Sequence, residues 1–280
     1  MLHHIIQEDM QGEFGFRRLV DAVKTLGSTY GIVKLVPFSH ELVWVDGVVT
    51  GGRVPTMVWG MTTVEEVAKH YGWSPGVFKN ENFDMRVLNE HYGDSMLNSD
   101  GKFCKLGEVP SYEGAMFMRP THDTKSFTGG LINGDELDKW RAGLYDLKRE
   151  FTTLDLDTEV MVASPKKTID EARFFVVGDK VVAGSTYRVN GRVLYKSIDS
   201  GNPLFMPMWE FAEAMKKTFQ GWRVCEAFVM DVARIGPDEG CKNMKIIEVN
   251  CLNPSGFYDS DMTAVMKAIE YLRPWPQQWF

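Results

Sequence analysis

The sequence predicts a chain of mixed α and β structure, with a small α/β domain over residues 1–95 and a larger α+β domain over residues 96–280. Three observations carry that reading. In the first part, apolar residues at helical spacing alternate with short β-rich runs. From about residue 115 onward, β-rich runs outnumber helical ones. The pair Gly178-Asp179 separates two of those runs, EARFFVV and KVVAGSTYR, by a turn in which positive φ costs little, so the larger sheet is at least partly antiparallel.

The elements follow in order. In RRLVDAVKTLG, residues 17–27, Leu19, Val20, Val23 and Leu26 share a helical face and Gly27 supplies a stop. GIVKLVPF and ELVWVDGVV read as strands. TTVEEVAKHYG reads as a helix capped by Thr62 or Thr63, with Glu65 in its first turn and Gly72 at its end. The second domain opens with the strand GAMFMRP, a loop rich in turn formers, THDTKSFTGG, and the helical pattern GDELDKWRAGLYDLKREF. Strands TEVMVAS, EARFFVVG and KVVAGSTYRV come next, then the amphipathic helix WEFAEAMKKTFQ, the strands CEAFVMDVARI and NMKIIEVN, and a last helix near DMTAVMKAIEYL. Met206, Met208, Trp209, Phe211, Met215 and Phe219 read as core and helix-face packing.

Composition bounds the function. With 280 residues, 44% of them hydrophobic and 12% aromatic, the chain fills a real core. No run of about 18 apolar residues occurs and the N-terminus lacks a signal-peptide pattern, so the expected compartment is the cytoplasm. Cys104, Cys225, Cys241 and Cys251 show no C-x-x-C spacing and read as reduced thiols. A net charge of −7 argues against a broad grip on nucleic acid, which leaves a small-molecule or peptide substrate as the expected partner; oligomeric state has no signature here.

The chemistry concentrates in two places. In KIIEVNCLNPSGFY, residues 245–258, strand alternation puts Glu248 and Asn250 on one face and Ile247 and Val249 on the other. Asp231, in FVMDVARI, is a second acid inside an apolar strand. If the two strands are neighbours, Asp231, Glu248 and Asn250 make an oxygen-only cluster suited to Mg²⁺; the alternative is two separate polar strand ends. The other place is the loop after Arg119, where Lys125 stands among Ser126, Thr128, Gly129 and Gly130 and backbone N–H groups can face anionic oxygen. A solvated basic surface is the alternative. Arg173 and Arg188 are further cations on strands that can aim at the same cleft, and His122 is a candidate phosphate or substrate contact. No Walker or G-x-G-x-x-G loop and no H-x-x-x-H zinc spacing occurs, and His3-His4 reads as ordinary N-terminal sequence. Ser164 and Lys167 fit S-x-x-K without that motif's partners and read as a turn.

Taken together, FMRPTHDTKSFTGG, TEVMVASPKKTIDEARFFVVGDKVVAGSTYR, FVMDVARI and KIIEVNCLNPSGFY resemble the ATP-grasp superfamily across residues 115–260. The similarity is to a clade common among bacteriophage and bacterial proteins in which Arg-Pro replaces the usual Lys-Pro on the first nucleotide-binding strand. TMVWGMTTVEEVAKHYGWSPGVF resembles that clade's accessory domain. The resemblance implies two α+β subdomains clasping ATP, with a lid over about residues 115–163, preceded by the small domain. It implies Arg119 and Lys125 on phosphate and an adenine hinge from Glu159 through Met161, Val162, Ala163 and Ser164. It also implies an E-x-R strand carrying Glu171 and Arg173, Arg188 on the γ-phosphate or an acyl phosphate, and Mg²⁺ held by Asp231, Glu248 and Asn250. Arginine at position 119 suits phosphate but changes the geometry near adenine. Ser255, Tyr258 and Asp259 are the expected substrate-facing residues. The implied activity is an ATP-dependent carboxylate–amine ligase working through an acyl phosphate, in the host cytoplasm if the chain is phage-encoded. The alternatives are a kinase-like phosphotransferase on the same fold and a non-catalytic nucleotide-binding protein.

Overall fold

A computed structural model describes residues 1–49, 54–61, 63–122, 126–146, 154–199, 204–216, 221–236 and 243–272. Three sheets organise them. The first is built from β1 (His3–Gln7), β2 (Thr29–Leu35), β3 (Leu42–Gly47), β4 (Thr56–Trp59) and β5 (Pro75–Gly76), in the order β3-β2-β1-β4-β5. Strands β2, β1, β4 and β5 run parallel and β3 pairs antiparallel on the edge. Helices α1 (Phe16–Thr25), α2 (Val64–Tyr71) and α3 (Met85–Tyr92) accompany this sheet.

Strand β1 corrects the reading of His3-His4 as ordinary terminal sequence. Its five residues are all buried and it is the central strand, because a parallel strand covered on both faces carries no alternation to mark it. Helix α3 also lacked a sequence reading, and its N-cap Asp84 accepts from the Arg86 N–H. Thr63 occupies the N-cap of α2 without a side-chain cap bond, while Gly72 ends that helix at φ 63°.

The second sheet, in the order β6-β9-β7-β8, comprises β6 (Lys102–Lys105), β7 (Ala115–Pro120), β8 (Gly130–Asn133) and β9 (Glu159–Ala163), all antiparallel, with α4 (Gly134–Asp146) beside β8. Its first strand, β6, precedes residue 115 and pairs with β9. Leu106, Val109, Met118, Ile132, Leu137 and Val160 form its own small core. Both β6 and β8 are four-residue strands, too short to announce themselves by periodicity.

The third sheet, in the order β12-β11-β10-β13-β14, is wholly antiparallel: β10 (Asp170–Val177), β11 (Lys180–Val189), β12 (Arg192–Ser197), β13 (Ala227–Arg234) and β14 (Met244–Cys251). The Gly178 turn joins β10 to β11 at φ 61°. Helices α5 (Met206–Met215) and α6 (Met262–Tyr271) pack on this sheet, and α1 of the first unit packs on α6. One continuous hydrophobic core therefore runs from Ile5, Trp59 and Phe78 to Phe174, Val229 and Met266, and it joins the first and third sheets. Among the described residues no helix is long and apolar enough to cross a membrane.

Candidate active site

Register on the third sheet builds the site. In an antiparallel ladder, directly opposed residues share a face. Arg173 on β10 opposes Asp231 on β13, and Asp231 opposes Glu248 on β14, so one row carries a cation and two acids. One row away, Glu171 on β10 opposes Arg188 on β11. This face borders a cleft of about 660 Å³ whose other walls come from the second sheet and the loop before β8: Phe117, Arg119, Pro120, His122, Phe127, Thr128, Gly129, Gly130 and Leu131.

The charges inside are paired tightly. Arg173 forks onto Asp231, Nε to Oδ1 and Nη2 to Oδ2 both at 2.8 Å, and Nη1 also donates to the Gly256 carbonyl at 3.3 Å. Arg119 Nη1 donates to Glu248 Oε2 at 2.5 Å, and Asn250 Nδ2 donates to Glu248 Oε1 at 2.7 Å. Arg188 Nη1 meets Glu171 Oε1 at 3.0 Å, where the Thr168 hydroxyl also donates at 2.6 Å. Burial would raise the Glu248 carboxyl, but Arg119, Asn250 and Arg173 outweigh it and hold the group at about 2. Burial lifts Asp231 above its ordinary value against the pull of the Arg173 fork, and the neighbouring Glu248 adds to the rise.

Strand β14 departs from simple alternation. Asp231 pairs with Glu248 but Val232 pairs with Ile246, so Ile247 is an extra residue in the ladder. The bulge turns Ile247 into the cleft beside Glu248 and Asn250, while Ile246 and Val249 stay buried. The expectation that Ile247 packs opposite Glu248 is thereby corrected. A similar irregularity at Tyr187 on β11 skips that residue in both of its ladders.

The donor set fits a hard divalent cation in kind: Asp231, Glu248 and Asn250 offer oxygen only. Among the described residues no three His, Cys, Asp or Glu side chains converge on a metal site, and the third member of this trio is an amide. Arg119 adds a buried Nε that has no hydrogen-bond partner among the described residues. A Cβ on Gly129 would lie 2.9 Å from Arg119 Cβ, so only glycine lets the loop lie this close over the arginine.

A family model matches the sequence and solved structures share the fold. Residues 59–269 match a family model described as an ATP-grasp domain, family 3 of its clade. The chain belongs to that ATP-grasp family. No curated protein matches its sequence. The fold is the ATP-grasp fold, shared with solved structures of low identity. D-cycloserine synthetase DcsG superposes with a TM-score of 0.57 at 11% identity, covering 96% of this chain and 99% of that one. D-alanine–D-alanine ligase from Bacillus anthracis gives 0.54 at 11%, covering 96% and 98%. A RimK domain ATP-grasp protein from Sphaerobacter thermophilus gives 0.53 at 14%, covering 90% and 92%.

Within this ATP-grasp chain the sequence-derived residues divide. Arg119, Glu171, Arg173, Arg188, Glu248, Asn250 and Ser255 line the cleft, and Asp231 reaches it through Arg173. Lys125 lies outside the described residues. The stretch expected to form the hinge does not line the cleft. Glu159 instead forks with Arg86 of α3 at 2.8 and 2.9 Å, Met161 and Ala163 are buried, Val162 packs toward the second sheet's core, and Ser164 binds Asp100. Hydrogen bonding from Arg86 holds the Glu159 carboxyl below its usual range. His122 borders the cleft with Nε2 3.0 Å from Asp84. The Ser255 hydroxyl donates to the Cys251 carbonyl at 2.7 Å, and Asp259 accepts from the Ser197 N–H and pairs with Arg18.

Several cleft residues were not singled out from sequence. Lys166 and Thr168 stand just before the E-x-R strand, and that adjacency was a usable signal. Leu97 and Asn98 carried none. They reach the cleft because Met96 bridges to Ile246 and the Leu97 N–H donates to the Ile246 carbonyl at 2.7 Å, which lays this segment along β14.

Proposed function

We propose that this protein is an ATP-dependent ligase that activates a carboxylate as an acyl phosphate and joins it to an amine. The observation that carries the reading is the row Arg173–Asp231–Glu248, with Asn250 one step along β14, facing the same cleft as Arg119 and Arg188. That set of groups positions and neutralises phosphate oxygens; the chemistry requires no protein nucleophile. In this reading the substrate carboxylate oxygen attacks the γ-phosphorus and ADP leaves. The amine nitrogen then attacks the acyl carbon, phosphate departs, and the nitrogen loses a proton.

The chain's residues take the following parts. Arg119 donates to a phosphate through the Nε now lacking a partner, and Lys125, outside the described residues, is the second phosphate contact the sequence offers. Arg188 stabilises charge on the transferring phosphoryl group, and Glu171 holds the Arg188 guanidinium in place. Asp231, Glu248 and Asn250 would hold Mg²⁺, which when bound neutralises phosphate charge. Arg173 orients Asp231 and favours its ionised form against burial.

The test is a screen of amino acids, peptides, polyamines and nucleotides for ADP release, with mass spectrometry of the product. A ligase releases inorganic phosphate and gains the amine's mass. Phosphate retained on the product identifies a phosphotransferase, and no turnover across the panel leaves nucleotide binding alone. In the same assay Glu248→Gln is expected to keep its fold and lose most Mg²⁺-dependent ADP formation. Thermal stabilisation by Mg²⁺ with a non-hydrolysable ATP analogue, large in the wild type, should shrink in the variant. Equal stabilisation of both proteins would remove Glu248 from the metal site.

A further inference from the structure

Beyond Arg173, a cleft residue whose guanidinium lies beside the Tyr258 ring, is a second feature that the phosphate chemistry does not use. The loop between β1 and α1 is pressed against the turn that follows β14. Gly15 sits at φ 92°, and a Cβ there would come within 2.7 Å of the Tyr258 carbonyl oxygen and 3.0 Å of Phe257 Cβ. Tyr258 is itself left-handed at φ 49°, a conformation a bulky residue adopts only when its surroundings enforce it. The close docking places Glu13 and Phe14, both from the first domain, beside a turn of the third sheet.

The docked rings make a continuous shelf. Phe14 lies 4.7 Å from Tyr195, Tyr195 stacks on Tyr258 at 5.1 Å, and the Arg173 guanidinium of the central row lies 5.0 Å from the Tyr258 ring. Phe14 and Tyr195 remain exposed to solvent. Glu13 lies against the same shelf. A Cβ on Gly256 would be 3.4 Å from Glu13 Oε2 and 3.5 Å from Tyr258 Cε1, so carboxylate and ring are neighbours across that glycine.

The charges decide what the shelf attracts. Arg173 is committed to Asp231, and Arg18, which lies 5.9 Å from the Phe14 ring, is committed to Asp259. The Glu13 carboxylate has no hydrogen-bond or ion-pair partner among the described residues. A free carboxylate beside aromatic faces attracts a cation and repels an anion.

We propose that Glu13, with the rings of Phe14, Tyr195 and Tyr258, is a seat for a primary ammonium group of the second substrate. This deepens the ligase reading and rests on it: the amine partner docks at the junction of the two domains, one ring away from Arg173. It also gives the first domain a task, to supply the seat's carboxylate and one of its rings.

Binding without nucleotide tests the seat independently of turnover. The probe is n-butylammonium, with 1-butanol and butyrate as uncharged and anionic controls, read by calorimetry and saturation-transfer NMR on the full chain. The wild type is expected to bind butylammonium saturably and neither control. Glu13→Gln, an isosteric change at an exposed position, should weaken binding roughly tenfold or more, as loss of a charge-assisted contact requires. Tyr195→Leu should weaken it while leaving the melting temperature near that of the wild type. Absence of saturable binding in the wild type, or an unchanged Kd in Glu13→Gln, overturns the proposal. The two readings also fail separately. Butylammonium binding without ADP release on any substrate sinks the ligase and keeps the seat, whereas ligase turnover with an amine KM unchanged in Glu13→Gln sinks the seat and keeps the ligase.

Discussion

Acid should unfold this protein through a histidine in its central strand. His4 is fully buried, its Nδ1 accepts from Trp59 Nε1 at 3.1 Å, and its Nε2 has no hydrogen-bond partner among the described residues. Burial, with His3 alongside, pulls its pKa from 6.5 down to about 3. The folded state keeps the ring neutral, whereas the unfolded chain takes up a proton as pH falls below 6.5. The stability His4 contributes is therefore intact above 6.5 and drains as pH falls, until the folded pKa is reached. At pH 5 the loss from His4 alone is about 2 kcal/mol, from 1.5 pH units at about 1.36 kcal/mol each. His3, whose pKa burial also lowers, adds in the same direction. Urea unfolding of the wild type and His4→Phe between pH 8 and pH 5 reads the effect. The variant loses the acceptor for Trp59 and starts lower by roughly 1–3 kcal/mol, yet between pH 6 and pH 5 its stability should fall by about 1.4 kcal/mol less than the wild type's. Carboxylates titrate equally in both proteins and cancel. Identical slopes would mean that His4 is protonated, or reached by water, in the folded state.

Two further outcomes follow from buried polar contacts. Arg173→Lys breaks the fork and leaves Asp231 buried with a poorer partner, so unfolding should become easier by about 1.5–3 kcal/mol, seen as a drop in urea midpoint; an unchanged midpoint would show that the fork contributes nothing to stability. Asn253 is fully buried and ties the turn after β14 to the first sheet. Its side chain accepts from the Phe78 N–H at 2.8 Å and donates to the carbonyls of Val58 and Gly76, so Asn253→Ala should cost about 3 kcal/mol or more in the same measurement, and a loss under about 1 kcal/mol would mean that water replaces the amide.

What could be read in advance depended on period and on pairing. Asp231 and Glu248 each stood out as acids in apolar strands, and the structure opposes them directly on β13 and β14. Alternation could not show that Ile247 lies on the cleft side, because a bulge is set by how the partner strand is gripped and leaves no mark in one strand's own sequence. Strand β1 was hidden for a related reason: covered on both faces, it has no polar phase, and its two histidines look like a tail until Thr29 and Trp59 are seen to hold them. The Glu159 side chain shows the limit of motif position. Glu159 has the residue type for a polar contact, but Arg86, 73 positions earlier, claims its carboxylate, and no local pattern encodes a partner that distant.

The same argument bears on the cleft as a whole. Its acids lie on one sheet, its open cation Arg119 on another, and Leu97 and Asn98 on a connecting segment, so three stretches far apart in sequence close around about 660 Å³. Each pairing seen there satisfies a charge that would otherwise be buried alone: Glu248 by Arg119, Asp231 by Arg173, Glu171 by Arg188. Arg119 is the member with a donor to spare. A nucleotide whose phosphate draws the Arg119 side chain away pulls Nη1 off Glu248, the proposed metal ligand. In the proposed site nucleotide and cation would be linked, since an anion that draws Arg119 away frees a carboxylate for the cation, and a cation on that carboxylate frees Arg119 for phosphate. Mg²⁺ alone should therefore raise the melting temperature little, the ATP analogue alone somewhat, and the two together by more than their sum. Strict additivity would mean that Arg119 and Glu248 do not exchange partners.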